Sequence, residues 1–287
     1  MDFLQAILLG IIQGLAEFLP ISSSGHLVIF QKLFGLDKPE IFFDVCLHMG
    51  TLVAVVVFFR KELCAIISSS LKLSWMIVSG NAPVSDFYKD SNGRMAIFIL
   101  VGSVPTAIAG LLINEVAERL FSSIFITAAM LALTGCILWL TRKVDAPEQT
   151  TEKNPDALPM ENALSIKKAL IIGTIQGMAA MPGLSRSGST IVAGLFLGLD
   201  RETAARYSFL LSIPAVAGAG LLSAMSLPEH SAFPALAVLS GAIFAGVTGY
   251  AALTLLIRLV KKGRLFIFAP YCWLMALAAV GIGFFVG

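Results

Sequence analysis

A chain of 287 residues that is 57% hydrophobic and only 13% charged, with mean hydropathy +0.88, has too few polar side chains to cover a water-soluble surface. Its net charge of +2 has no basic stripe or aromatic platform behind it, so no nucleic-acid partner is expected. Cys46, Cys64, Cys136 and Cys272 are scattered through apolar segments without metal-ligand spacing and read as small buried hydrophobes.

The expectation is an all-α polytopic protein whose partner is the bilayer itself. At the N-terminus Asp2 stands where a leader would carry positive charge, so no cleavable signal is expected. Residues 3–19 and 26–36 are apolar, but each is too short to cross about 30 Å of hydrocarbon at about 1.5 Å per residue. Between and across them runs Gln13 to His26, QGLAEFLPISSSGH. Gln13 and Glu17 are one turn apart on one helix face. Leu19-Pro20 disfavours further helix. Ser22, Ser23, Ser24 and Gly25 then form a polar, permissive turn that restarts a helix at His26, with free N–H groups suited to an anion. An ionisable group at membrane depth is costly and usually kept for function, which makes Glu17 and His26 site candidates. The segment 3–36 is read as a re-entrant hairpin with the serine turn at its tip, a geometry tolerated only where protein or a wet cavity covers it.

Residues 41–59 form the first full span, with Asp44 and His48 one turn apart, and Arg60 and Lys61 end it. The stretch 63–79 reads as a helix lying at the interface, and 80–94 as a polar loop. Spans follow at 95–113 and 120–140, joined by a connection whose Glu115 and Glu118 read as solvated, as does His230 further on. Charges and Pro147, Pro155 and Pro159 mark 142–163 as a linker. A second hairpin, 164–199, carries its tip at 182–189, PGLSRSGS, and spans follow at 207–227, 235–257 and 266–286. The expected architecture is therefore six transmembrane helices plus two re-entrant helical hairpins.

An offset of 163 residues superimposes the two hairpins without a gap. Gly10, Gln13, Gly14, Ser22, Ser24, Gly25 and Gly35 fall on Gly173, Gln176, Gly177, Ser185, Ser187, Gly188 and Gly198. The chain thus reads as a first repeat, 1–141, a linker, 142–163, and a second repeat, 164–287, within one membrane domain. The copies differ where chemistry would be expected to differ: Glu17 becomes Ala180, Ser23 becomes Arg186 and His26 becomes Ser189. One tip offers acid, hydroxyl and imidazole, and the other a guanidinium, which points to one composite site.

Of the lysines and arginines, five lie between Arg60 and Arg94, five between Arg142 and Lys168, two at Arg201 and Arg206, and four between Arg258 and Arg264. All sixteen share one side, against Lys32, Lys38 and Arg119 on the other, so the crowded side, linker included, is expected to be cytoplasmic. Three spans separate the hairpins, so they enter from opposite sides and their tips meet near the midplane as an inverted-topology repeat. Both termini are then expected outside.

At the second tip, Gly183, Ser185, Arg186, Ser187 and Thr190 combine a bidentate guanidinium, hydroxyls and accessible backbone N–H groups, a set suited to phosphate. In the empty protein Arg186 is expected to pair with Glu17. Here the chain resembles a known family. QGLAEFLPISSSGH is similar to the glutamate/glutamine-x-x-x-glutamate motif and following Ser-Gly-His of the bacitracin-resistance family of undecaprenyl-diphosphate phosphatases. PGLSRSGST matches that family's second signature, and FDVCLHMGTL at 43–52 and the length resemble it too.

The resemblance implies hydrolysis of undecaprenyl diphosphate to the monophosphate lipid carrier, serving cell-wall peptidoglycan synthesis and lowering sensitivity to bacitracin. The implied place is a bacterial inner membrane, with the site reached from the periplasmic side. Arg186 with Ser185 and Thr190 would clamp the diphosphate, beside Ser22, Ser24, Gly25, Gly183 and Ser187. Either Ser23 or a water attacks, with His26 as base, acid or nucleophile. Glu17 would orient His26 or hold a divalent cation, Mg²⁺ or Ca²⁺, with Gln13 beside it. Asp44 and His48 are read as support behind these groups, and a second copy of the chain is kept as a candidate partner. The competing reading is a polyprenyl-phosphate transporter, since broken helices meeting at midplane are also carrier architecture. A carrier, however, needs no nucleophile with an acid–base partner.

Overall fold

The computed structural model describes residues 2–36, 40–81, 83, 85–144, 164–225 and 234–285; His230, Lys38 and linker residues 145–163 lie outside the described residues. Among the described residues all regular structure is helical. The first hairpin is α1 (Phe3–Phe18) and α2 (Ser23–Leu33), followed by α3 (Ile41–Phe58), α4 (Arg60–Val78), the short α5 (Asp86–Lys89), α6 (Ser91–Asn114), the short α7 (Ala117–Ser122) and α8 (Ile124–Leu140). The second hairpin is α9 (Ile166–Met178) and α10 (Arg186–Phe196), followed by α11 (Arg201–Met225), α12 (Ala235–Lys261) and α13 (Ala269–Phe285).

Stretches 91–113, 124–143, 201–225, 235–261 and 265–285 are long and apolar enough to cross a bilayer. The α3–α4 pair, bent by 78°, makes a sixth candidate when taken as one span. With Leu100, Ile108 and Leu112 of α6 and Leu274 and Leu277 of α13 facing outward, the protein is a multi-pass helical membrane protein. The helix α4 buries only Ile66 among its described residues and exposes Leu71, Trp75 and Val78.

Local chemistry sets the helix ends. Asp2 caps α1 in a reciprocal box with Gln5. Two spans begin earlier than their hydropathy indicates, because an aspartate caps each new first turn. Asp90 accepts from Gly93 N–H at 2.7 Å and opens α6 at Ser91. Asp200 accepts from Thr203 N–H at 2.9 Å and opens α11 at Arg201. The two hairpins end alike. Gly35 (φ 75°) and Gly198 (φ 78°) take the left-handed conformation that releases the chain from α2 and α10. Leu36 N–H then reaches Gln31 O, and Leu199 N–H reaches Gly194 O, both at 3.0 Å, positions that the 163-residue offset pairs.

Small residues decide which helices meet. A Cβ on Gly10 would overlap the Gly241 carbonyl, and one on Gly14 would overlap Thr248 and Ala245, so α1 lies directly on α12. A Cβ on Gly173 would likewise overlap the Gly102 carbonyl, and one on Gly177 the side chain of Ala109, so α9 lies on α6. Each hairpin is therefore held by a span from the other half of the chain. Beneath the tips, Phe18 packs edge-on against Phe209 at 5.8 Å, and Phe59 stacks on Phe209 at 6.3 Å, closing the central core.

Candidate active site

The two hairpin tips touch. Ser187 donates to the Phe18 carbonyl at 3.2 Å, and Gly183 N–H donates to Ser24 Oγ at 3.3 Å. Glycine makes this approach feasible: a Cβ on Gly25 would press on Gly183 Cα, and one on Gly188 on the Pro20 side chain. Ser22 has φ 68°, the one non-glycine left-handed residue among those described, and its Oγ accepts from Gly25 N–H at 3.2 Å. That sparsely populated backbone is held at the turn by its surroundings, as strain at functional turns commonly is. Ser185 starts α10 in the equivalent way, accepting from Gly188 N–H at 3.1 Å.

Glu17 is the hub. Its Oε1 accepts from Arg186 Nη2 at 2.5 Å. Its Oε2 accepts from Ser23 Oγ at 2.6 Å and from Gln13 Nε2 at 3.1 Å, and lies 3.3 Å from His48 Nε2. Glu17 is 8% exposed and Gln13 fully buried, so these contacts replace water around a charge that would otherwise be costly to bury. The imidazole beside Glu17 is that of His48, not His26. His48 is held in turn by the Asp44 carbonyl, 2.8 Å from Nδ1, and the Asp44 carboxylate accepts from Gln31 Nε2 at 2.6 Å.

His26 sits apart from the carboxylate, with Nδ1 2.7 Å from the Ser22 carbonyl and Nε2 2.7 Å from the Tyr271 hydroxyl. The remaining hydroxyls are partly spoken for. Ser22 and Ser24 lie 3.3 Å apart, and Ser185 and Ser187 3.4 Å apart. Thr190 donates to its own helix at the Arg186 carbonyl and lies 2.5 Å from Ser208 Oγ, behind the tip. Arg186 Nη1 and Gln13 Oε1 are buried without a hydrogen-bond partner, the guanidinium donor on one side of Glu17 and the amide oxygen on the other.

Sequence reasoning did not bring Tyr271, Gln31 or Ser208 to the site. Tyr271 is 245 residues from His26, and the only signal for it was a phenol in an apolar span, which reads equally as an interfacial anchor. The second-half glutamine, Gln176, has lost its acid to Ala180 and instead donates to the Leu211 carbonyl at 3.1 Å, a span-to-hairpin tether.

A divalent cation would find two oxygen donors here, the Glu17 carboxylate and the orphaned Gln13 Oε1. Among the described residues no three His, Cys, Asp or Glu side chains form a protein-only metal site. An ion held there would have to take its other ligands from phosphate and water, the usual habit of Mg²⁺ at phosphoryl groups.

Residues 6–278 match the family described as bacitracin resistance protein BacA. A protein named undecaprenyl-diphosphatase from Desulfosudis oleivorans is 50% identical over 284 residues, covering 99% of each chain. One of the same name from Desulforapulum autotrophicum is 45% identical over 285 residues, again 99% of each. Another from Desulfatibacillum aliphaticivorans is 44% identical over 276 residues, 96% of each. With the match running through both tips, the chain belongs to the bacitracin resistance protein BacA family.

Proposed function

We propose that this protein is an undecaprenyl-diphosphatase, an integral membrane hydrolase that converts undecaprenyl diphosphate to undecaprenyl phosphate and inorganic phosphate. The observation that carries the reading is the buried Glu17, accepting a hydrogen bond from the Ser23 hydroxyl on one oxygen and from the Arg186 guanidinium on the other. A nucleophile hydrogen-bonded to a base, beside a phosphate-binding cation, is what phosphoryl transfer requires and what a lipid carrier has no use for.

In the proposed mechanism Arg186 turns its free Nη1 to a terminal phosphoryl oxygen. Ser23 Oγ attacks that phosphorus as its proton passes to Glu17 Oε2. The bond from phosphorus to the bridging oxygen breaks, and undecaprenyl phosphate leaves with the electron pair. Water then attacks the phosphoserine, freeing phosphate and restoring the hydroxyl. His26 is the base for that water, its Nε2 lone pair held in place by the Tyr271 hydroxyl until the water takes that hydroxyl's position. His48 and the Asp44–Gln31 pair behind it hold Glu17 in register. A divalent cation at Gln13 and Glu17 would neutralise charge on the diphosphate.

We further infer six crossings with two re-entrant hairpins, arranged as an inverted repeat of 1–141 and 164–287. The mirrored supports, α1 on α12 and α9 on α6, favour that arrangement. The sixteen-to-three division of Lys and Arg favours a cytoplasmic linker, external termini and a site served from the outer side of a bacterial plasma membrane. The test is phosphate release from undecaprenyl diphosphate by purified protein in detergent, with and without a chelator. Turnover lost on chelation and restored by Mg²⁺ or Ca²⁺ supports both the reaction and the ion; no release under either condition rejects the assignment.

A further inference from the structure

We infer that Tyr271 is a positioning residue for His26, holding the lone pair of Nε2 and the orientation of the ring; this rests on the phosphatase reading above. The Ser22 carbonyl, 2.7 Å from His26 Nδ1, can only accept, which assigns the hydrogen of the neutral imidazole to Nδ1. Nε2 is then the acceptor, and the Tyr271 hydroxyl, 2.7 Å away, donates to it. The two rings lie parallel, within 3°, with centroids 5.6 Å apart, so the phenol meets Nε2 from a fixed direction.

The support for each partner is local and independent. Ser22 aims its carbonyl at the imidazole through its left-handed backbone, φ 68°, and also accepts the His26 backbone N–H at 3.2 Å. Tyr271 enters from the first turn of α13, and its neighbour Cys272 is fully buried with Sγ 3.7 Å from the Pro20 carbonyl. The start of α13 is thus tied to the first tip at two successive residues. His26 is 3% exposed and Tyr271 41% exposed, so the phenol is the group that stands between Nε2 and the outside of the site. Without it, the Nε2 lone pair of a buried imidazole would face the site unpartnered, and nothing on that side would hold the ring orientation.

The experiment is Tyr271→Phe in the full-length protein in lipid nanodiscs. The ring and its stacking are kept and only the hydroxyl is removed. Two readouts are taken: turnover on undecaprenyl diphosphate, and ¹⁵N NMR of histidine-labelled protein, with the His26 resonances identified by their loss in His26→Gln. The expected result is a fall in kcat of at least about tenfold with KM within about twofold, together with a displaced Nε2 resonance. A fall in kcat with an unmoved Nε2 resonance makes Tyr271 a packing residue and overturns the inference, as does wild-type kcat. Wild-type protein that releases no phosphate refutes the phosphatase reading instead, and a displaced Nε2 resonance in the variant would still support the Tyr271 hydrogen bond to Nε2.

Discussion

Replacing Arg186 by lysine keeps the charge and removes the fork. In the resting protein the guanidinium divides its donors: Nη2 is 2.5 Å from Glu17 Oε1, while Nη1 is buried and unpartnered. A lysine ammonium at the end of a linear stem is a single point of donation, so it can stay on Glu17 or turn to the phosphoryl group, but it cannot span both in one plane. The loss is therefore about one charge-assisted hydrogen bond, about 1.5–3 kcal/mol. At about 1.4 kcal/mol per factor of ten, Arg186→Lys should lower kcat/KM by roughly ten- to a hundredfold. The loss should fall mainly in kcat, because charge on the terminal phosphoryl oxygens is redistributed in the transition state. Phosphate release from undecaprenyl diphosphate, followed over a range of substrate concentrations, separates the two constants. Wild-type kcat/KM in a folded Arg186→Lys protein would refute the clamp and leave Arg186 as no more than a counter-ion for Glu17.

Three further outcomes are expected. Ser23→Ala should lower kcat by more than about a thousandfold while substrate still binds, since it removes the atom that donates to Glu17 at 2.6 Å; a drop of only a few fold in the release assay would transfer the attack to water. Asp90, which lies outside the spans, has its carboxyl held below the usual aspartate value by hydrogen bonds from Ser69 Oγ and Gly93 N–H. A depressed carboxylate adds stability above its unfolded pKa of about 4 and loses it as pH falls through the folded value. Asp90→Ala should thus cost about 1 kcal/mol near neutral pH and progressively less in acid, read as the gap between the two thermal unfolding curves; a gap that stays constant with pH would rule this out. Single cysteines at 85 and 118 in a cysteine-free background should differ in labelling from outside whole cells, with 118 reacting and 85 protected; the reverse pattern would invert the topology.

The helices were legible because hydropathy and punctuation both act locally. Pro20, Gly35, Gly183 and Gly198 mark the hairpin breaks in sequence just where the backbone turns. The pairing of Glu17 with Arg186 was legible too, since two buried opposite charges on related tips have few other ways to be satisfied. Helix periodicity placed Asp44 and His48 on one face but gave no hint that the His48 ring would extend to Glu17, which depends on how far α3 sits from α1. The phenol of Tyr271 was beyond reach for the same reason. Whether a polar side chain in a span faces lipid or a distant tip is decided by packing between α13 and the first hairpin, and sequence spacing carries no information about it.

The exchange of hairpins between halves has an electrostatic consequence for the site. Glu17 lies in the last turn of α1, where carbonyl groups make the local potential negative, and Arg186 opens α10, where N–H groups make it positive. Each charge is on the unfavourable end of its own helix. They are tolerable at membrane depth because the two tips are pressed together, Gly183 N–H on Ser24 and Ser187 on the Phe18 carbonyl, so that each charge answers the other. The N-termini of α2 and α10 converge on this same junction, and the Glu17 carboxylate is the anion that occupies it in the resting protein. In the proposed reaction a diphosphate entering the junction engages the free Nη1 of Arg186 while Nη2 stays on Glu17. Glu17 then shares its guanidinium with the phosphate while a proton donor, Ser23 Oγ–H, is already in contact. In the proposed reaction substrate binding and nucleophile positioning thus meet at one guanidinium, with the arginine and the acid supplied by different hairpins.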